Sequence, residues 1–138
     1  MLQISNDLSK ERPTAPLHNT VLISLGTGIS SEVSIKEILT YFQHLGKTAR
    51  NTDFIQTSSL KLKALNHSLS AALLLHTGLS QSGLSKKLKQ LESRLNRIDL
   101  NIITFNKVII EESKVIESPT LLGFIKQLQP ELFAWRMP

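Results

Sequence analysis

Leu84 to Phe105 reads LSKKLKQLESRLNRIDLNIITF, and the hydrophobic period changes inside it. Leu84, Leu88, Leu91 and Leu95 fall at i, i+4, i+7 and i+11, with Lys, Gln, Ser and Glu between them. That spacing predicts a helix of about four turns with one apolar stripe. From Ile98 onward the period is two. Ile98, Leu100 and Ile102 point one way, and Asp99, Asn101 and Ile103 the other. A helix therefore feeds directly into a half-buried strand that ends near Phe105. Asn106-Lys107 follows as a tight turn, and Val108 to Ile110 can pair back as a further strand.

Upstream, Val21 to Leu25 is a short apolar run closed by Gly26-Thr27-Gly28, which reads as strand and then turn. Ser34-Ile35-Lys36-Glu37 has the form of a capping box, and Ile35, Ile38, Leu39 and Phe42 recur at helical spacing. A helix over about 35–45 is predicted, with Gly46 as its stop. Phe54 to Leu60 reads as a second strand and Leu69 to His76 as a third, buried on both faces. Downstream, Ser118-Pro119 starts a helix that carries Leu121, Leu122, Ile125 and Leu128 and ends before Pro130. Phe133, Trp135 and Met137 can dock on the core or on a partner, and the core is the expectation.

The order is strand, helix, strand, strand, helix, strand, then extra elements. This is the split βαβ pattern. The expectation is an α+β, ferredoxin-like sandwich: one mainly antiparallel sheet covered by two main helices, plus a short C-terminal helix. Residues 1–18, polar and with Pro13 and Pro16, read as a flexible arm, leaving 19–138 as a single domain.

Composition narrows the function. The 138 residues include no cysteine, which excludes disulfides, zinc knuckles and thiol nucleophiles. The longest apolar run, Ala71 to Leu75, is far too short to cross a bilayer, and residues 1–19 hold no apolar block of a secretory signal. A cytoplasmic protein with no membrane partner is expected. The net charge of +5 favours anionic partners. RNA binding on such a sheet needs exposed aromatics, and aromatic residues are only 5% of this chain, so nucleic acid is not an expected partner. Gly26-Thr27-Gly28 lacks the remaining residues of a dinucleotide or P-loop motif. His18, His44, His67 and His76 have no metal-ligand spacing. Asp99 and Asn101, at i and i+2 of one strand, lie roughly 6.5–7 Å apart on one face. Two such oxygen-bearing groups can hold a Mg²⁺ that also takes phosphate oxygens. Arg94, Arg97, Lys86, Lys87 and Lys89 make the preceding helix basic.

In ordered blocks from Val21 to about Ile110, the chain resembles the hydroxymethyldihydropterin pyrophosphokinases of folate biosynthesis. Val21-Leu22-Ile23-Ser24-Leu25-Gly26-Thr27-Gly28 is similar to the family's opening strand and G-S-N turn. Gln56-Thr57-Ser58-Ser59-Leu60 resembles its second strand, and Leu69 to Thr77 the strand that carries its pterin-binding asparagine. Leu84, Leu88, Glu92 and Arg97 follow the spacing of the family helix. Ile98-Asp99-Leu100-Asn101-Ile102 is similar to its D-x-D strand. The resemblance implies ATP-dependent pyrophosphoryl transfer to a hydroxymethyl pterin, with Mg²⁺ bridging the phosphates. It assigns Asp99 and Asn101 to metal, Glu92 and Arg97 to the nucleotide, and Ser70 to the pterin.

The chain also departs from the family. Asn101 replaces the second aspartate, and a neutral amide holds Mg²⁺ less strongly than a carboxylate. Ser70 replaces the pterin asparagine. Only Ile98 separates Arg97 from Asp99, where the family has a long arginine-bearing loop. The loop at about Lys61–Ser68 is short and lacks the pterin-stacking aromatic. Ser118-Pro119-Thr120 has no histidine beside the proline. The expected function is thus a pterin pyrophosphokinase whose activity is weak or lost. The alternative is a non-catalytic relative that binds a pterin, a nucleotide or a protein.

Overall fold

Val21, Leu22, Ile23 and Leu25 are all fully buried, although side chains alternate across a strand. That is possible only where a strand is covered on both faces, and strand β1 (Asn19–Gly28) is the middle of the sheet. The structure, a computed structural model, describes residues 18–28, 35–58, 67–95 and 98–134. The expected arm, apart from His18, lies outside the described residues, as do Ser34 of the capping box and the side chains of Phe133, Trp135 and Met137.

β1 pairs antiparallel with β4 (His67–Thr77) on one side and with β5 (Ile98–Phe105) on the other. Outside β4 lie β2 (Lys47–Asn51) and β3 (Ile55–Ser58), both antiparallel to it. Thr52 joins them into one interrupted strand. Its N–H donates to the Ala72 carbonyl at 2.9 Å, and its hydroxyl accepts from the Ala72 N–H at 3.0 Å. A short β6 (Val108–Ile109) pairs back on β5. The sheet order β2-β4-β1-β5-β6, with β3 also on β4, is that of a ferredoxin-like α+β fold. Each helical crossover, through α1 (Ile35–Phe42) and α2 (Gln81–Leu95), skips the strand between its two ends.

The helices divide between the faces. Ile38 and Phe42 of α1 and Leu84, Leu88 and Leu91 of α2 pack on Val21, Ile23, Leu25, Ala71, Leu73, Leu75, Ile98 and Leu100. On the opposite face, Leu22, Ala72, Leu74 and Ile103 meet a second set of short helices: α3 (Glu112–Ile116), α4 (Pro119–Leu128) and α5 (Glu131–Ala134). Ser118 caps α4 by accepting from the Leu121 N–H at 3.2 Å, with Pro119 in the first turn, as its sequence predicts.

The β1–β5 register shifts between Leu22 and Ile23, so β5 carries one extra residue there. Ile103 and Thr104 therefore both face α4, and both are buried. The Thr104 hydroxyl donates to Gln129 Oε1 at 2.7 Å, and Gln129 Nε2 donates to the Asn106 carbonyl at 3.0 Å. Gln129 is 2% exposed, and these two bonds satisfy its amide. Asn106, at φ 58°, occupies the left-handed region that asparagine tolerates best among residues with a side chain. Its Oδ1 accepts from the Thr20 N–H at 2.8 Å, tying the hairpin turn to the start of β1.

Three expectations are corrected. Gly26-Thr27-Gly28 is not a turn: β1 continues through it, with Gly26 paired to Ser70 on one side and Asp99 on the other. Gly26 and Thr27 have ladder partners on both flanking strands and Gly28 has one on β4, so the triplet is strand rather than a phosphate-binding turn. The second strand begins at Ile55 rather than Phe54, its expected end at Leu60 lies outside the described residues, and β2 precedes it. The first helix ends at Phe42, followed by a turn over residues 43–45.

Gly46 follows that turn for a steric reason. A Cβ placed on it would collide with the His76 carbonyl oxygen and lie 3.1 Å from Thr77 Cα. Both obstacles are backbone and cannot rotate away. Gly46→Ala is expected to destabilise the protein by about 1–3 kcal/mol. Thermal unfolding would then show a Tm lowered by roughly 4–12 °C; an unchanged Tm would mean that this backbone contact is not tight.

Candidate functional site

The bulge on β5 lies at one end of the strand, so residues 98–102 keep strict alternation at the other. Ile98 and Leu100 are buried in the core beneath α1 and α2. Asp99 and Asn101 therefore emerge on the opposite face, and both are exposed. On β1, alternation puts Ser24 and Gly26 on that same face, and on β4 it puts Ser70 and Ala72 there. The registers align them. Asp99 is opposite Gly26, which is opposite Ser70; Asn101 is opposite Ser24, which is opposite Ala72.

Adjacent strands lie about 4.8 Å apart, so Asp99 and Ser70 flank Gly26 across roughly 10 Å. This end of the face differs from the end packed by α4. The packed end carries Leu22, Leu74 and Ile103. The other carries Ser24, Gly26 and Ser70, all half-buried, and the two exposed side chains of β5. Among the described residues, a Cβ added to Gly26 would meet nothing within 4 Å, so the middle of the row is open to them. Three of the residues singled out in the sequence, Asp99, Asn101 and Ser70, thus share one small polar patch.

Glu92 reaches β5 from the other layer. Its Oε2 accepts from the Leu100 N–H at 2.7 Å. β6 pairs only with Thr104 and Phe105, so this part of the β5 edge has no neighbouring strand among the described residues. Glu92 supplies the acceptor that a strand would supply, and its carboxylate holds α2 to β5 between the two polar side chains of the strand. Arg97 lies outside the described residues.

Among the described residues, no three His, Cys, Asp or Glu side chains come together as a metal site. The patch offers one carboxylate and one amide oxygen. That donor set suits a Mg²⁺ that arrives with a polyphosphate, which completes the shell with its own oxygens and waters. It does not suit a resident ion held by protein ligands alone.

A concavity of about 670 Å³ opens on the α1–α2 side. Tyr41, Leu45, Lys47, Leu79, Lys87 and Arg94 are among its lining residues. These come from three separated segments, so no local motif announces the cleft; only the basic character of α2 hinted at it. No helix among the described residues is long and apolar enough to cross a membrane. No protein-family model matches the chain, and no curated protein matches its sequence.

The edge contact has a direct test. Glu92→Ala leaves the Leu100 N–H without its acceptor and is expected to cost about 1–2 kcal/mol in denaturant unfolding, while Glu92→Gln, which retains an acceptor oxygen, costs less. Equal losses in the two variants would show that the hydrogen bond contributes little.

Proposed function

We propose that this chain is a divergent protein of the hydroxymethyldihydropterin pyrophosphokinase type that keeps a Mg²⁺-dependent nucleotide foothold and has weak or no pyrophosphoryl transfer. One observation carries the reading: Asp99, Asn101 and Ser70, the positions that the resemblance assigns to metal and pterin, lie on one face of three neighbouring strands around the open Gly26. Those positions come from two segments far apart in the sequence. Asp99 and Ser70 share one row across Gly26, and Asn101 lies in the next row of the same face, which is the arrangement the resemblance calls for.

In this reading Asp99 is the strong Mg²⁺ ligand and Asn101 the weak one. Mg²⁺ bound with ATP would neutralise phosphate charge at the edge of the patch. Ser70 sits on the pterin side, with one hydroxyl where the family has an amide that both donates and accepts. Arg97 is assigned to the nucleotide by its place in the sequence alone.

The loss of transfer follows from what the patch holds. Phosphoryl-type transfer is driven by positioning and charge neutralisation, and removing one preorganised group typically costs about 10²–10³ in rate. Here one carboxylate stands where two are needed, and Glu92 is tied to the β5 backbone. The same two facts favour the non-catalytic alternative, in which the patch binds without turning over.

Calorimetry with a non-hydrolysable ATP analogue tests this directly. Binding is expected with Mg²⁺ present, to weaken at least tenfold in Asp99→Ala, and to fall away with EDTA. Asp99 is exposed, so the variant should unfold within about 0.5 kcal/mol of the parent. Addition of hydroxymethyldihydropterin and ATP should release little AMP. Binding that ignores both Mg²⁺ and Asp99 would refute the proposal.

A further inference from the structure

The cleft beside α2 belongs to the opposite end and the opposite face of the sheet from Asp99. Thr77, which lines it, is seven residues along β4 from Ser70, or roughly 23 Å. Its parity along the strand puts it with Ala71, Leu73 and Leu75, on the side of α1 and α2.

The floor is apolar: Leu91 is buried, and Tyr41, Leu45 and Leu79 are half-buried. The rim is cationic. Lys47 rises from the start of β2, and Lys87 and Arg94 stand seven residues apart on α2, which puts them two turns apart on one face of the helix. All three are exposed, and none forms an ion pair among the described residues. No Asp or Glu among the described residues lines the cleft. The carbonyls at the end of α1, which would repel an anion, are already taken: those of Thr40, Tyr41 and Phe42 accept from the N–H groups of Gln43, His44, Leu45 and Gly46.

The walls are held in place by hydrogen bonds. The buried Thr77 hydroxyl donates to the Leu45 carbonyl at 2.5 Å and accepts from the Leu79 N–H at 3.1 Å. The Leu79 carbonyl in turn accepts from Asn19 Nδ2 at 2.8 Å. Leu79 thus has both backbone polar groups fixed, and the α1 turn is clamped to the end of β4. A cleft of this size, preformed and apolar with a few convergent charges, suits a small molecule.

We propose that this cleft binds a small organic anion with a ring-sized apolar body, the body on Leu45, Leu79 and Leu91 and the phosphate or carboxylate between Lys87, Arg94 and Lys47. The apolar floor and the cationic rim act together, so neither a neutral ring nor a bare anion satisfies the site. This assignment is independent of the Asp99 patch.

The test is a two-dimensional ¹⁵N–¹H NMR titration of the full chain with 2-naphthyl phosphate. Saturable shifts are expected at Gly46, Lys47, Gly78, Leu79, Lys87 and Arg94. The double variant K87E/R94E should weaken binding at least tenfold, with the rest of its spectrum unchanged because both side chains are exposed. Neutral 2-naphthol and inorganic phosphate should each bind at least tenfold more weakly than the naphthyl phosphate. Absence of binding, shifts gathered at Gly26, Ser70 and Asp99, or equal affinity in the double variant would overturn the proposal. So would inorganic phosphate binding as well as the naphthyl phosphate. A single-stranded oligonucleotide that shifts the same amides at lower concentration would also overturn it, making the surface one for nucleic acid.

Discussion

The described elements are arranged around β1, a strand hydrogen-bonded on both edges and covered on both faces over Val21 to Ile23. Its register with β4 and β5 runs nearly its full length. Because side chains alternate with period two, slipping either neighbour by one residue would exchange its core and solvent faces. Leu73, Leu75, Ile98 and Leu100 would leave the α1–α2 core, and Asp99 and Ser70 would enter it. Burying a carboxylate without a partner costs far more than the new packing could return. The polar character of Asp99 and Ser70 therefore helps to enforce the register that exposes them.

The two faces are put to different uses. One is packed by α1 and α2, whose large side chains cover the sheet up to the cleft at its Thr77 end. Among the described residues the other is only partly covered, because α3, α4 and α5 gather over Leu22, Leu74 and Ile103. The extra residue on β5 sharpens the division. Beyond it, Ile103 and Thr104 both turn toward α4; before it, plain alternation leaves Asp99 and Asn101 in solvent. A bulge thus separates a stretch of β5 devoted to packing from one available for binding, and Glu92 protects the exposed edge of the latter.

Much of this was legible in the residues. The leucine spacing from Leu84 and the alternation from Ile98 are strong periodic signals, and the structure has α2 and β5 where they predict them. Ser118-Pro119 likewise marked the start of α4. β2 was not legible: Lys47-Thr48-Ala49-Arg50-Asn51 is an edge strand, largely exposed, and needs no apolar alternation. Gly26-Thr27-Gly28 reads as punctuation because glycine usually ends strands; here β4 pairs with β1 as far as Gly28 and β5 as far as Thr27. The extra residue at Ile103 could not be read from β5 alone, since it is a property of pairing. The faces of Asp99 and Asn101 were readable from alternation, but their alignment with Ser70 through Gly26 required the register. The cleft beside α2 left almost no trace, because its walls meet only after the sheet forms.

The proposed metal-dependent nucleotide foothold at the Asp99 end of the sheet has a direct spatial test. Mn²⁺ substituted for Mg²⁺ in the presence of a non-hydrolysable ATP analogue makes its position measurable, since a paramagnetic ion broadens nearby amide resonances. Broadening centred on Gly26, Ser70, Asp99, Leu100 and Asn101 is the expected result. Broadening centred on Lys87 and Arg94, or none that depends on the nucleotide, would contradict it.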